Sequence, residues 1–188
     1  MSKFEFIKNE IEGLVVVKQA VFGDDRGFFM ETYHKQEFAA AGIKDEFVQD
    51  NHSKSTKGVL RGLHFQTENT QGKLVRVING EVYDVAVDCR PSSKTFGKWF
   101  GITLSEENKL QFYIPKGFAH GFLVLSDRAE FVYKCTDVYN PNAEGGIPYN
   151  DDFVGVEWPC LDCPIQLSEK DKHHKAFKEQ AFENFLRY

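Results

Sequence analysis

The sequence predicts an all-β domain, closed as a barrel or stacked as a jelly roll. Three observations carry this. Turn residues punctuate short apolar runs at intervals of about ten residues. Stretches with helical periodicity are scarce. The 188 residues hold 18 Phe against 2 Met, and large flat side chains suit a core between facing sheets.

The first apolar run is Leu14–Val17, and Val59–Gln66 is the second. Leu74–Ile78 and Val82–Asp88 flank Asn79-Gly80, the strongest short hairpin signal in a sequence because both residues tolerate positive φ. Trp99–Leu104, Leu110–Ile114, Ala119–Leu125 and Ala129–Tyr139 follow, the last two joined by Ser126-Asp127-Arg128. His34–Ala41, ended by Gly42, reads as a short helix. Ser168 to the C-terminus reads as another, with Ser168 as its N-cap. Strands this numerous in one domain, taken as residues 1–188, close or stack to bury their faces.

Bulk properties narrow the function. The formal charge is 23 − 28 = −5, so a basic footprint for nucleic acid is missing. Hydrophobic residues at 41% and aromatics at 14% are too many for a disordered chain. No apolar run approaches the roughly 18–20 residues of a membrane span. The start, MSKFEFIKNEIEG, carries charges where a signal peptide needs an apolar stretch. The expectation is a cytoplasmic protein with neither nucleic-acid nor membrane partners. Cys89, Cys135, Cys160 and Cys163 do not make a disulfide scaffold. Cys160-Leu161-Asp162-Cys163 is a CxxC between Pro159 and Pro164, with no second pair to complete a zinc site. The nearest histidines are His173 and His174.

Alternation assigns faces. In Ala129–Tyr139, Tyr133 and Tyr139 share a face if the strand is regular. In Val59–Gln66, His64 shares a face with Leu60, Gly62 and Gln66. Arg61 then points the other way with Leu63 and Phe65, an unfavourable place for a charge without a partner. Gly58 and Gly62 permit a bulge or a close backbone approach there.

Four segments set polar groups among aromatic ones: Asp24–Glu31, Phe47–Ser53, Leu60–Gln66 with Lys73 following, and Ile114–Phe122. Each alone reads as structure: a turn entering a strand, a polar loop, a satisfied core histidine, a turn before a strand. Together, in a barrel, they point to a pocket. Metal-binding barrels usually present His-x-His, and His64 is flanked by Leu63 and Phe65. No serine sits in a nucleophile elbow and no cysteine lies beside a histidine. What remains is acid–base chemistry by His, Tyr and a carboxylate.

Residues 22–29, Phe47-Val48-Gln49-Asp50-Asn51-His52-Ser53, Leu60-Arg61-Gly62-Leu63-His64-Phe65-Gln66, Gln71-Gly72-Lys73-Leu74-Val75-Arg76 and Ala119-His120-Gly121-Phe122 resemble the dTDP-4-dehydrorhamnose 3,5-epimerase family. The likeness runs in order and spacing from Phe4 to Asp171. It implies a cupin-type double-stranded β-helix (jelly roll) with a few short helices, acting as a homodimer with no metal or cofactor. It implies a dTDP-ketosugar substrate, dTDP-4-dehydro-6-deoxy-D-glucose, epimerised at C3 and C5. The base falls on His64 and its aspartate on Asp171. The acid falls on Tyr133, and the lysine near the developing enolate on Lys73. Substrate contacts fall on Arg26, Glu31, Gln49, Asp50, Asn51, Arg61, His120, Tyr139, Glu144 and Lys170. The cysteine-rich stretch after Pro159 does not map onto the family pattern.

The residue types fit the reaction. C3 and C5 flank a ketone, so loss of either proton gives an enolate that a cation or donor stabilises, with Lys73 and His120 as candidates. A histidine near pKa 6.5 is a suitable base, and a tyrosine near 10 a suitable acid. Ser168-Glu169-Lys170-Asp171 also reads as a capping box, a role for Asp171 that can coexist with catalysis. The rival readings are a mono-epimerase or ketoisomerase on the same scaffold, and a non-catalytic nucleotide-sugar binder.

Overall fold

The computed structural model describes residues 2–182. Among them run β1 (Phe4–Lys8), β2 (Val15–Gln19), β3 (Phe22–Asp24), β4 (Gly27–Phe29), α1 (Lys35–Ala40), β5 (Gln49–Thr56), β6 (Leu60–Gln66) and β7 (Lys73–Asn79). There follow β8 (Glu81–Asp88), β9 (Trp99–Ser105), β10 (Gln111–Ile114), β11 (Phe118–Val124), β12 (Arg128–Cys135) and β13 (Glu144–Gly146). Two antiparallel sheets face each other. One has six strands in the order β1-β2-β10-β7-β12-β5 and the other five in the order β13-β6-β11-β8-β9. The fold is the all-β jelly roll expected from the sequence.

Three apolar clusters hold the layers. Val75, Val77, Ala86, Leu104, Phe112, Phe122 and Phe131 fill the space between the sheets. On the outer face of the six-stranded sheet, Val15, Val17, Leu74 and Tyr113 pack under Phe38 of α1. On the outer face of the five-stranded sheet, Leu63, Phe65, Val85, Val87 and Ala119 pack under Phe177 and Phe182 from the C-terminal segment. Strand β8 is therefore buried on both faces, which its run Val85-Ala86-Val87 reflects.

Four sequence expectations change. First, Asn79-Gly80 is no hairpin. β7 pairs with β10 and β12, whereas β8 pairs with β9 and β11. The dipeptide is a corner that carries the chain from one sheet to the other. Gly80 adopts φ +78°, and a Cβ there would lie 2.1 Å from the Arg128 carbonyl oxygen. A positive-φ glycine serves a corner as well as a hairpin, so local sequence does not separate the two.

Second, β12 stops at Cys135, and Tyr139 lies beyond it. Third, the segment after Ser168 forms two 3-10 turns, Asp171–His173 and Phe177–Glu179, instead of a helix. Residues 183–188 lie outside the described residues. Phe177 and Phe182 are drawn down onto the sheet, which a straight helix from Ser168 would not permit.

Fourth, alternation fails inside β6. His120 opposes His64, but Phe122 opposes Arg61, so β6 carries one residue more than β11 over this span. This bulge reverses the face parity, and Arg61 and His64 line the same cavity. Gly62 makes it possible, with φ +127° and Gly121 Cα 2.5 Å from where its Cβ would stand. Leu63 and Phe65 stay on the face opposite His64, packed in the outer cluster.

Strands β1, β3, β4, β5 and β13 were not legible as apolar runs. β5 is the instructive case. Gln49–Thr56 has no apolar residue, yet it pairs with β12 from Gln49↔Cys135 to Thr56↔Arg128 at the edge of its sheet. A polar edge strand discourages further strand pairing.

Candidate active site

The parity change at Gly62 delivers His64 to a cavity of about 450 Å³ between the two sheets, a size suited to a small ligand. Phe122 and Phe131, stacked at 4.2 Å, line it from the core side. Arg61, His64 and His120 come from the five-stranded sheet, Lys73 and Tyr133 from the six-stranded one, and Lys170 and Asp171 from the C-terminal segment. A smaller adjoining recess shares His64, Lys73 and Tyr133 and adds Tyr139 and Glu144.

His64 Nε2 lies 2.6 Å from Asp171 Oδ1. With Nε2–H donated to the carboxylate, the other ring nitrogen carries the lone pair, and the imidazole is the basic partner. Asp171 is 5% exposed. Burial works to raise its carboxyl pKa, but hydrogen bonds from His174 and His64 outweigh this and hold it well below the carboxylate range. Of the capping box only the serine half is present: the Asp171 N–H donates to Ser168 Oγ at 3.2 Å, while the Asp171 carboxylate faces the histidines.

Tyr133 stands on the inward face of β12 beside Phe131. Burial pushes its hydroxyl above the ordinary tyrosine value, so it enters any reaction protonated. Burial pulls the Lys73 ammonium below the ordinary lysine value. No carboxylate pairs with Lys73 among the described residues. A lysine in that state gains most when an oxyanion forms beside it. His120 is buried and bonds Asp84 at 2.9 Å, and burial drives it towards the neutral form. That favours Lys73 over His120 as the cation at the cavity.

Arg61 Nε donates to Ser55 Oγ at 3.0 Å, and no carboxylate pairs with it among the described residues. Its guanidinium is free for an anion. Glu144 accepts from Tyr139 Oη at 2.5 Å and pairs with Lys170. Burial works to raise Glu144, but those two partners hold it below the ordinary value. Gln49 Oε1 accepts the Tyr139 N–H at 2.9 Å and so positions that ring. Asn51 points inward on β5, with Nδ2 3.5 Å from Cys135 Sγ.

Three expected contacts lie elsewhere. Arg26 has a side chain 90% exposed and pairs with Asp24 on the β3–β4 hairpin. Glu31 pairs with Lys3 at 2.7 Å. Asp50 faces outward on β5, 3.0 Å from Lys134. Sequence reasoning also missed Asp84, Ser55 and the role of His174. His174 Nε2 lies 3.3 Å from Asp171 Oδ1, where the sequence suggested only the vicinity of a CxxC. His64, Asp171 and His174 also bring donor atoms within 4.8 Å of one another, the spacing a metal ion would use. As placed, both histidines are hydrogen-bonded to Asp171.

The fold is a jelly roll of the cupin type, with a histidine–carboxylate pair and a tyrosine on opposite walls of one cavity. The model of the family described as dTDP-4-dehydrorhamnose 3,5-epimerase matches residues 8–179. A protein of that name from Shigella flexneri is 58% identical over 178 residues, covering 94% of this chain and 97% of its own. One from Methanothermobacter thermautotrophicus is 50% identical over 180 residues, covering 95% and 97%. A crystal structure of dTDP-6-deoxy-D-glucose-3,5-epimerase from Legionella pneumophila, in complex with dTDP-4-keto-L-rhamnose, superposes with TM-score 0.94 at 50% identity, covering 98% of each chain. The chain belongs to the dTDP-4-dehydrorhamnose 3,5-epimerase family.

Proposed function

We propose that this chain, acting as one jelly-roll domain over residues 1–188, converts dTDP-4-dehydro-6-deoxy-D-glucose to dTDP-4-dehydro-L-rhamnose in dTDP-L-rhamnose biosynthesis. The observation that carries this is His64, held by Asp171 on one sheet's side of the cavity, with Tyr133 on the other sheet. His64 takes the proton from the carbon beside the ketone, and Asp171 stabilises the imidazolium. The electron pair moves onto the ketone oxygen, beside Lys73. Tyr133 then gives its proton to the opposite face of the same carbon. Arg61 and Lys170 meet the diphosphate, while Gln49, Asn51, His120, Tyr139 and Glu144 hold the nucleotide and sugar. One C–H bond breaks and one forms at each centre, and before the next centre reacts His64 loses its proton to solvent and Tyr133 takes one back, so there is no net electron change and no redox cofactor enters.

Incubation with this ketosugar in heavy water, with EDTA present, is expected to place deuterium at both C3 and C5 of the product. Label at one carbon only marks a mono-epimerase. Activity lost to EDTA and restored by a divalent ion marks a metal enzyme.

The working unit is a homodimer in the cytoplasm. Phe22, Phe28 and Phe29 of the β3–β4 hairpin are 54%, 59% and 64% exposed, an apolar arm suited to a second copy. That arm carries Arg26, with Glu31 just after it, two of the three expected substrate contacts that lie outside the cavity of the single chain. If the arm completes the neighbouring cavity, Arg26→Ala and His64→Ala proteins restore each other when refolded together. Half the dimers are mixed and one site in each is whole, so about a quarter of wild-type activity is expected. No recovery above either parent means Arg26 does not act across the dimer.

A further inference from the structure

Asp171 Oδ1 has two histidine neighbours. His64 Nε2 is at 2.6 Å and His174 Nε2 at 3.3 Å, and the two rings meet edge to face at 5.7 Å between centroids. The His174 side chain is 9% exposed. It reaches Asp171 because Gly146, opposite His64 on β13, leaves room. A Cβ on Gly146 would stand 2.4 Å from His174 Cε1 and Nε2. Gln180 closes the arrangement by donating to the Gly146 carbonyl at 2.9 Å and to the Lys175 carbonyl at 2.8 Å.

We propose that His174 is a positioning residue: its Nε2–H shares Asp171 Oδ1 with His64, fixing the carboxylate and tempering its grip on the His64 proton. This rests on His64 being the base, as proposed above. A carboxylate with a single partner swings about its own bond, and a small misplacement of the base is costly. A carboxylate oxygen that accepts two N–H bonds holds each proton less strongly than it would hold one. With the second donor gone, Asp171 stabilises the protonated, inactive His64 more, and the acid limb of the rate profile moves to higher pH. The other charges around His174 are few. Asp171 precedes it on its own turn, and His64 faces it from β6. Glu144 on β13 is neutralised by Lys170. Lys172 and His173 turn away to Glu169, and Gly146 brings no charge.

The test compares pH profiles of kcat and kcat/KM for wild type, His174→Phe, His174→Gln and Gly146→Ala. His174→Phe keeps a flat ring and loses the donor. It is expected to lower kcat roughly tenfold, to change KM by less than about twofold, and to shift the acid limb upward. His174→Gln, which keeps an N–H, is expected to recover most of the loss. Gly146→Ala displaces the His174 ring and should shift the limb the same way. Thermal unfolding run alongside shows which variants fold, and His174→Phe and Gly146→Ala disturb the same contact from opposite sides. An unmoved acid limb in whichever of these folds, while His64→Ala is inactive, overturns the role of His174 and leaves the base assignment standing. Activity surviving in His64→Ala overturns the base assignment itself.

Discussion

Replacing His64 with alanine is expected to lower kcat by about a thousandfold, or about 4 kcal/mol of barrier, the scale of a general base. Folding should be little affected, because the His64 side chain is 29% exposed and lines a cavity rather than filling the core. KM should move far less than kcat, since Arg61, Lys170 and the other proposed substrate contacts stay in place. Asp171 adds no acid limb of its own to the rate profile. Its carboxyl is held far below the usual range, so it is ionised wherever the protein works. Steady-state kinetics with the ketosugar, beside a melting curve, checks all of this. Near wild-type turnover in a folded variant would sink the proposal that His64 is the base.

Much of this arrangement was legible before the structure. Short apolar runs between turn residues gave the all-β class, and Leu60–Gln66 with Ala119–Phe122 gave the strands that carry His64 and His120. What was not legible is long-range. The pairing of Gln49–Thr56 with β12 leaves no trace in a polar segment. The corner at Asn79-Gly80 has the same local signature as a hairpin. The reversal of faces at Gly62 depends on Gly121 across the ladder, so strict alternation put Arg61 on the wrong side of β6. His174 was invisible because its meaning comes from Asp171 Oδ1 and Gly146, the latter distant in sequence. Arg26 and Glu31 carried a family motif, but Arg26 sits on an exposed hairpin and Glu31, just after it, pairs with Lys3, and neither lines the cavity of the single chain.

The charge balance shows a related limit of composition. A net charge of −5 argues against long polyanions. It averages over the surface and does not see Arg61 and Lys73, two cations without a carboxylate pair among the described residues, in a cavity walled by Phe122 and Phe131. Arg61 is exposed, but at Lys73, where burial acts on the ammonium, low local polarity makes a charge attract one small anion more strongly than it would in water. The aromatic content that first indicated the fold thus also shapes the electrostatics of the site.

Replacing Tyr133 with phenylalanine separates the two halves of the reaction. The ring stays on the inward face of β12, packed against the same core, and only the hydroxyl is lost. Burial holds that hydroxyl above the ordinary tyrosine value. It is therefore a reluctant acid alone and an effective one beside a newly formed enolate and the cations Lys73 and Arg61, the latter of which lowers it. Without it, His64 still takes the proton and Lys73 still meets the enolate, but no donor waits on the opposite face. Net epimerisation is expected to fall by about a hundredfold or more. Exchange of the substrate's own C–H for solvent deuterium, with configuration retained, is expected to continue, because His64 returns a proton to the face it came from. NMR in heavy water reads the two rates separately on one sample. If exchange and inversion fell together, Tyr133 would be required for forming the enolate, and the assignment of acid to Tyr133 and base to His64 would have to be exchanged or abandoned.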